Sequence, residues 1–298
     1  MHSSKVAFAA PLKQAGQNSD LRSTAYCSAC ADTRSLRAKS YIAVCQSDYM
    51  VTLSVLKFAP GDRYRAFANM GRWSMKPFDA PGLQFQKMMG TGKNFGLWPD
   101  FSQYVFLATW ASEADAMRFF ASDAWQPFLP VTQSGVPSPG ESTRGESTPG
   151  ADLPGLGTLF LEPFKSHGRW GGTNPFEASD ERPQAPHPAL PVAVLTRATI
   201  RTSKLFDFWR NVPAARQRLT GQGDKLLLAI GSGEVPLVQQ CTLSVWRDAA
   251  TVDQFAYRQS GHKEIVKKTR QRNWYSEELF ARFWVVRAEG SLGKLVGN

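Results

Sequence analysis

The chain has 298 residues, of which 42% are hydrophobic and 12% aromatic, and its formal net charge is +10. This apolar content excludes a disordered chain and suffices for two modest domains, while no run approaches the roughly 20 apolar residues that cross a bilayer. The first residues also lack the pattern of a secretory signal, so any membrane contact is expected to be peripheral. The basic excess suits nucleic acid, anionic lipid or an acidic protein partner, and nucleic acid is disfavoured because no recognised binding motif accompanies it.

Residues 1–48 are rich in Ser, Ala and Arg and have no sustained hydrophobic period, which predicts a mobile N-terminal extension. Cys27 and Cys30 form a lone CxxC with no second pair to complete a zinc site. Cys45 and Cys241 are interpreted as ordinary small residues. This cysteine usage favours a reducing, cytoplasmic compartment.

The first folded unit is predicted over residues 49–163, in the order strand, helix, strand, strand, helix, strand. Its first strand begins near Met50, Ser112 is the expected N-cap of its second helix, and its closing strand is GTLFLEP at 157–163. Residues 131–155 are rich in Gly, Pro and Ser and fall before that closing strand. They are predicted to form a flexible surface insert.

Residues 164–190 are predicted to be a linker, after which a second unit over 191–290 repeats the order of the first. Asp248 is the expected N-cap of its second helix. The basic run KEIVKKTRQR in that helix is interpreted as a solvated face. The predicted strands of this unit are 192–200, 225–230, 239–246 and 279–287, and its predicted helices are 203–219 and 248–272.

The two units resemble each other in sequence. Superposing Trp110 on Trp246 gives an offset of 246 − 110 = 136 residues, which also places Phe119 on Phe255. A Gly-x-Gly precedes each tryptophan strand, at 90–92 and 231–233. At 231–233 the spacing is not that of a phosphate loop and a strand follows, so a bend or bulge is predicted there. We therefore predict an internal duplication.

The order of elements in each unit is that of a split βαβ, ferredoxin-like fold. Helices cover one face of such a sheet, and two copies can cover the other faces by packing sheet against sheet around one apolar interior. We predict an α+β protein in which tandem ferredoxin-like units form a dimeric α/β-barrel-like core. A cavity between the sheets is expected to take an oily ligand or a flat cofactor.

The residue types narrow the chemistry. No nucleophile elbow occurs, and the four histidines do not cluster in sequence. A haem pocket needs one imidazole, an apolar slot and cations for the propionates. His262, in the second helix of the second unit, is the preferred ligand, with His167 as the alternative, although either could be a surface histidine. Arg197 and Arg201 alternate onto one strand face and could meet propionates or simply be exposed.

Short motifs occur in a consistent order over roughly residues 50–290. The second unit contains LTRATIR, FW, VP, IGSGEVP, Trp246, Trp274 and EELFARF, and the first contains VTLSVLKF, FQKMMGTG and LATW, followed by GRWGGTNPF at 168–176. In this order they resemble the spheroidene monooxygenase family of carotenoid biosynthesis. The N-terminal extension and the insert depart from the family pattern.

The resemblance implies a haem-containing oxygenase that uses O₂ and electrons from reduced ferredoxin. It implies an acyclic carotenoid substrate and oxidation at C2, spheroidene to spheroidenone, through two hydroxylations and loss of water. His262 would then be the axial ligand, and Glu234 would orient its loop or face the distal side of the haem.

A cytoplasmic location fits this function, with peripheral contact at the photosynthetic or inner membrane. Two alternatives stay open from the residues alone. One is a haem-binding or haem-degrading barrel protein, and the other is a non-catalytic protein that binds a lipophilic ligand.

Overall fold

The computed structural model describes residues 49–95, 97–131, 155–176, 190–258, 269 and 271–293. The predicted N-terminal extension, nearly all of the predicted insert and His262 lie outside the described residues. Among the helices described, none is long and apolar enough to span a membrane.

Eight antiparallel strands close into a barrel in the order β1-β3-β2-β6-β7-β5-β8-β4. The first half of the chain has the order β4-β1-β3-β2 and the second half has the order β8-β5-β7-β6, so the two halves share one arrangement. The predicted α+β barrel architecture is confirmed at this level. The strands are β1 Met50–Lys57, β2 Leu83–Gly92, β3 Pro99–Trp110, β4 Gly155–Gly168, β5 Val192–Ile200, β6 Leu226–Gly233, β7 Gln239–Trp246 and β8 Tyr275–Gly290.

Helices lie on the outer side of each half. Ser112 caps α2, accepting a hydrogen bond from the Asp115 amide at 3.2 Å, and Asp248 caps α4, accepting one from the Thr251 amide at 2.7 Å. Both predicted N-caps are confirmed. The helices are α1 Arg63–Met75, α2 Glu113–Phe120, α3 Leu205–Thr220 and α4 Ala249–Asp253, which continues as a π-helical segment, Gln254–Arg258.

The barrel interior is filled by side chains. Because successive strand residues point to opposite faces, Val51, Leu53 and Val55 of β1 point inward, where they meet bulky residues such as Phe283 and Met89 from other strands. All of these are at most 8% exposed. The prediction of a cavity between the two sheets is therefore wrong, because side chains from both sheets fill that space.

The two Gly-x-Gly motifs meet where the halves join. Gly90 pairs with Gly233, and Thr91 pairs with Ser232, as the contact between β2 and β6. The second motif lies inside β6, and the register irregularity of that strand falls between Leu226 and Leu228 instead. At 231–233 the predicted bend or bulge is thus corrected to a close approach, since a Cβ at Gly231 would lie 2.8 Å from Cδ1 of Phe95. In the first motif the register of β2 against β3 does shift, between Gly90 and Thr91.

The segment after β4 closes one end of the barrel. The strand β4 runs to Gly168, five residues beyond the predicted end of the first unit. Trp170 and Phe176, placed by sequence in a linker, are 1% and 0% exposed and belong to the interior cluster. Their rings are anchored there because the Trp170 amide donates to the Thr173 carbonyl at 2.6 Å, which folds the segment back on itself.

Packing of the barrel interior predicts a specific mutational cost. Leu195 on β5 is fully buried in the interior cluster, so Leu195→Ala should lower the free energy of unfolding by about 3 kcal/mol through lost contacts and a cavity. Urea unfolding followed by circular dichroism measures the change. Leu237→Ala, at a position that is 41% exposed, is the matched control and should change it by less than about 0.5 kcal/mol. Equal losses in the two variants would contradict a filled interior.

Candidate functional site

The outer faces of the two half-sheets are covered differently. Four residues along β1 from the Met50–Trp110 pair, Ser54 pairs with Phe106, and both side chains are fully buried. Four residues along β5 from the equivalent Val192–Trp246 pair, Thr196 pairs with Thr242. Thr196 is exposed and Thr242 is half-buried, although Thr196 lies on a strand with neighbours on both sides.

The difference continues two residues further along the same strands. In the first half Leu56 pairs with Tyr104, at 1% and 5% exposure, and both belong to the cluster beneath α1. In the second half the corresponding pair is Ala198 and Gln240. Smaller or more polar side chains therefore replace bulky ones on the outer face of the second half. These side chains fill less of the space between the sheet and the helix that follows β5.

We call this surface the second-half floor and define it by Thr196, Ala198, Gln240, Thr242 and Phe280. The helix that follows β5 does not cover it closely, because α3 buries none of its residues. The equivalent helix of the first half, α1, buries Ala66 and Asn69.

Apolar side chains close one end of the second-half floor. Val194, Trp246 and Trp284 form a buried cluster there, and the ring of Phe164 stacks on that of Trp284 with centroids 4.3 Å apart. Phe95, from the loop after β2, packs against the same cluster over Gly231. The floor is therefore a surface of small and polar side chains with an aromatic boundary.

A buried guanidinium lies beside the floor. Arg282 of β8 is 6% exposed, its Nη1 is 2.8 Å from Oδ1 of Asp253, and its plane lies over the Phe280 ring at 5.6 Å. Its buried Nε has no hydrogen-bond partner in the part of the chain that the structure describes. An unpaired buried donor is costly, so this atom is suited to an acceptor supplied by a ligand. Sequence analysis missed Arg282, although the alternation of β8 places it on the same face as Phe280.

His167 lies at the edge of the second-half floor. It pairs with Phe280 across β4 and β8, and the two rings stack with centroids 5.1 Å apart. The side chain is exposed, so one face of its imidazole is available. The preferred candidate, His262, lies outside the described residues. The assignment of a haem ligand to His262 or to His167 therefore stays a prediction.

The predicted arginines are separated by the structure. Arg197 points into the barrel, on the face of β5 opposite to Thr196, and its side chain is 3% exposed. Arg201 lies just beyond β5, is exposed, and its amide donates to the Trp274 carbonyl at 2.8 Å. Of the two, Arg201 is the one that solvent and a ligand can reach.

Arg197 is the centre of an ion-pair cluster that fills the end of the barrel. Its guanidinium binds the carboxylate of Glu277 and lies 3.6 Å from that of Glu234. The carboxylate of Glu234 also accepts a hydrogen bond from the Trp170 indole at 2.6 Å and forms an ion pair with the Lys87 ammonium at 2.6 Å. The structure thus places Glu234 in this cluster, where it holds the segment 168–176 against the barrel.

Glu277 holds the same segment from the other side. Its carboxylate accepts backbone hydrogen bonds from Gly172 at 2.8 Å and Gly171 at 3.1 Å. Burial alone would raise the pKa of Glu277, but these two donors and the Arg197 guanidinium together hold it below its usual range. The carboxylate is therefore ionised at neutral pH and serves the fold.

Cys241 lies inside the barrel and is chemically inert. Burial raises the pKa of its thiol to about 12, so the thiolate is not formed at neutral pH. Within the described residues there is no group of three or more His, Cys, Asp or Glu that could hold a metal ion. A site that needs several protein ligands is therefore not formed by these residues.

The fold defines a class of protein, an antiparallel α+β barrel with a filled interior and two outer faces that differ in how closely helices cover them. The chain is 34% identical over 256 residues to the spheroidene monooxygenase of Cereibacter sphaeroides, covering 83% of this chain and 69% of that protein. It is 33% identical over 219 residues to the spheroidene monooxygenase of Rhodobacter capsulatus, covering 72% and 81%. The chain belongs to the spheroidene monooxygenase family.

More distant comparisons add little. No protein-family model matches the chain. Among solved structures, an aldoxime dehydratase is 13% identical with a TM-score of 0.46, covering 82% of each chain. A putative monooxygenase from Fusobacterium nucleatum is 8% identical with a TM-score of 0.31, covering 82% of this chain and 95% of that one. Scores this low have no bearing on function.

The lowered pKa of Glu277 predicts a pH-dependent contribution to stability. A carboxylate whose folded pKa is below its unfolded value stabilises the protein above the unfolded pKa, about 4.3, and this contribution is lost as pH falls through the folded pKa. Glu277→Gln should therefore be less stable than wild type at pH 7, and the difference should shrink below about pH 4.5. Urea unfolding across this pH range measures it.

Glu278→Gln is the matched control, because Glu278 is the adjacent residue and its side chain is exposed. This variant should follow the wild-type pH dependence. A constant difference between Glu277→Gln and wild type from pH 7 to pH 3 would contradict the assigned role.

Proposed function

We propose that this protein is a haem-dependent monooxygenase that introduces a keto group at C2 of an acyclic carotenoid, spheroidene to spheroidenone, with O₂ and reduced ferredoxin. The main support is the family of the chain, whose curated relatives are named spheroidene monooxygenase. The second-half floor adds support, because small side chains beside an aromatic boundary leave room for a planar group such as a porphyrin.

The residues present fit a haem on the second-half floor. Thr196, Ala198 and Thr242 are small enough to admit a planar group, and α3 buries no residue against them. The buried Nε of Arg282, which has no acceptor among the described residues, is a donor of the kind that a propionate would satisfy. Exposed Arg201 is a second cation for a propionate, whereas Arg197 points into the barrel, away from the floor.

His262 is the residue that we propose would hold the haem iron, with an acceptor orienting its imidazole. His167, at the edge of the floor, is the alternative. When bound, haem supplies the activation of dioxygen that attack on an unreactive C–H bond requires. The chain's own part is to bind and orient the substrate against aromatic side chains at the border of the floor and to exclude water from it. Phe280, Phe164 and Trp284 are the described aromatic residues placed to do so.

The proposed reaction balances as two hydroxylations at one carbon. Each consumes O₂, two electrons from reduced ferredoxin and two protons, inserts one oxygen atom into a C–H bond and releases the other as water. The second hydroxylation produces a geminal diol at C2, and loss of water from the diol forms the ketone. An electron carrier is therefore a required partner.

We also propose that the two halves arose by duplication of one ferredoxin-like unit, with 49–163 as the first copy and 191–290 as the second. Their common strand order supports this. So does the packing of Phe119 on Trp110, at 5.1 Å between ring centroids, and of Phe255 on Trp246, at 4.9 Å. In this view the first copy kept a closed outer face and the second opened its own for a ligand.

The proposal predicts a haem spectrum and a ketone product from the same preparation. The purified chain with haem should show a Soret band, and with ferredoxin, its reductase, O₂ and spheroidene it should form spheroidenone. His262→Ala should lose the native Soret band and at least about 100-fold of activity, while circular dichroism confirms folding.

His167→Ala separates the two candidate ligands. An unchanged spectrum in His262→Ala together with a changed one in His167→Ala would transfer the ligand role to His167. Haem binding with breakdown of haem and no ketone would favour a haem-degrading protein. Carotenoid binding without a haem spectrum would favour a non-catalytic binding protein, and either result would reject the proposal.

The position of the haem can be tested by filling the floor. Thr196→Trp adds a bulky ring at an exposed position, so it should fold normally yet weaken haem binding by at least about tenfold. Titration of the apoprotein with haem, followed at the Soret band, measures the affinity. Thr202→Trp, at an exposed position just beyond β5, is the matched control and should bind like wild type. Unchanged affinity in Thr196→Trp would place the haem elsewhere.

A further inference from the structure

Large apolar side chains are exposed around the loop between β2 and β3. Trp98 is 77% exposed, Tyr64 at the start of α1 is 84% exposed, and Phe206 at the start of α3 is 81% exposed. Single exposed apolar residues are ordinary, but a group of aromatic residues on adjoining elements marks an interaction site.

Contacts show that these elements adjoin. The ring of Phe67 on α1 packs edge-on against Phe101 at the start of β3, with centroids 5.7 Å apart. On the other side, α3 lies against the loop that begins at Lys93. The Trp209 indole of α3 also donates to the Leu237 carbonyl, at 3.0 Å, in the loop between β6 and β7. We call this surface the docking face and define it by Tyr64, Phe67, Trp98, Phe101, Phe206 and Leu237.

Described residues of the loop that carries Trp98 are anchored to the protein. Asn94 and Phe95 adopt φ angles of 52° and 58°, which are uncommon for residues other than glycine. Phe95 packs over Gly231, and the Lys93 amide donates to the Trp98 carbonyl at 2.8 Å. The Trp98 side chain is therefore presented outward by an anchored loop.

Basic residues surround the docking face. Arg63 on α1, Lys93 in the loop, Arg201 just before α3 and Arg210 on α3 are exposed. Asp62 pairs with Arg65 at 3.6 Å, and Asp207 binds Arg272 and lies 3.8 Å from Arg210. This border has the sign of the whole chain, whose formal net charge is +10.

We propose that the docking face binds the surface of an anionic lipid bilayer. Aromatic rings that enter the boundary between headgroups and acyl chains, surrounded by bases that meet anionic headgroups, are the pattern of an interfacial membrane protein. An acidic protein accounts for the bases alone, whereas rings that are 77–84% exposed on three separate elements also match insertion at the headgroup boundary. The proposal concerns the apoprotein as well and does not rest on the proposed function.

Flotation of the full chain with vesicles tests the proposal without haem or substrate. Wild type should bind vesicles that contain equal parts of phosphatidylcholine and phosphatidylglycerol, bind phosphatidylcholine alone much more weakly, and lose binding as salt is raised. Trp98→Ser combined with Phe206→Ser should bind the anionic vesicles about tenfold less, and so should Lys93→Glu.

The same chain offers matched controls at the other end of α1. Met75 is 82% exposed and lies about 16 Å along the helix axis from Tyr64, and Lys76 beside it is also exposed. Met75→Ser and Lys76→Glu remove the same kinds of group and should bind anionic vesicles like wild type. Circular dichroism and urea unfolding establish that every variant is folded.

Contact depth supplies a second readout. Lipids brominated near the headgroup should quench tryptophan fluorescence of wild type on anionic vesicles, and Trp98→Phe should lose a measurable part of that quenching. Three results would overturn the proposal: no binding of wild type to anionic vesicles, equal losses in the docking-face and control variants, or a wild-type dimer in sedimentation that Trp98→Ser dissociates. The last result would assign the face to a second copy of the chain.

Discussion

The filled interior of the barrel is the constraint on which the rest of this structure depends. Eight strands point their inner side chains at one another, and branched and aromatic residues from all of them occupy the space between the half-sheets. The end of the barrel is closed in turn by the ion pairs of Arg197 with Glu277 and Glu234. A large ligand must therefore bind on an outer face, where covering elements can move without unfolding the barrel.

Side-chain volume distinguishes the two outer faces. In the first half Leu56, Tyr104 and Phe106 fill the space beneath α1, so that face serves stability. In the second half Ala198 stands at the position that corresponds to Leu56, and Thr242 at the position that corresponds to Phe106. Thr196, which pairs with Thr242, is exposed. The proposed haem, the proposed axial ligand His262 and the floor then belong to one half of the chain, while the other half supports it.

The proposed membrane contact and the proposed catalysis would be connected by position. Phe95 packs on the cluster at the end of the second-half floor, and Trp98 of the docking face is three residues further along the same loop. This connection matters only under the proposed function, whereas lipid binding itself does not depend on that function.

The sequence by itself determined the order of the elements, the extent of β5 and β7, the caps Ser112 and Asp248, and the family. These depend on local hydrophobic period, on hydrogen bonds within one turn, and on the order of short motifs. Only the tertiary structure decided that the interior is filled, that the second outer face is the open one, and that Arg197 binds Glu277, which lies 80 residues further along the chain. Those features depend on which side chains meet across strands that are distant in sequence. No local sequence pattern predicts how much space such side chains leave between them.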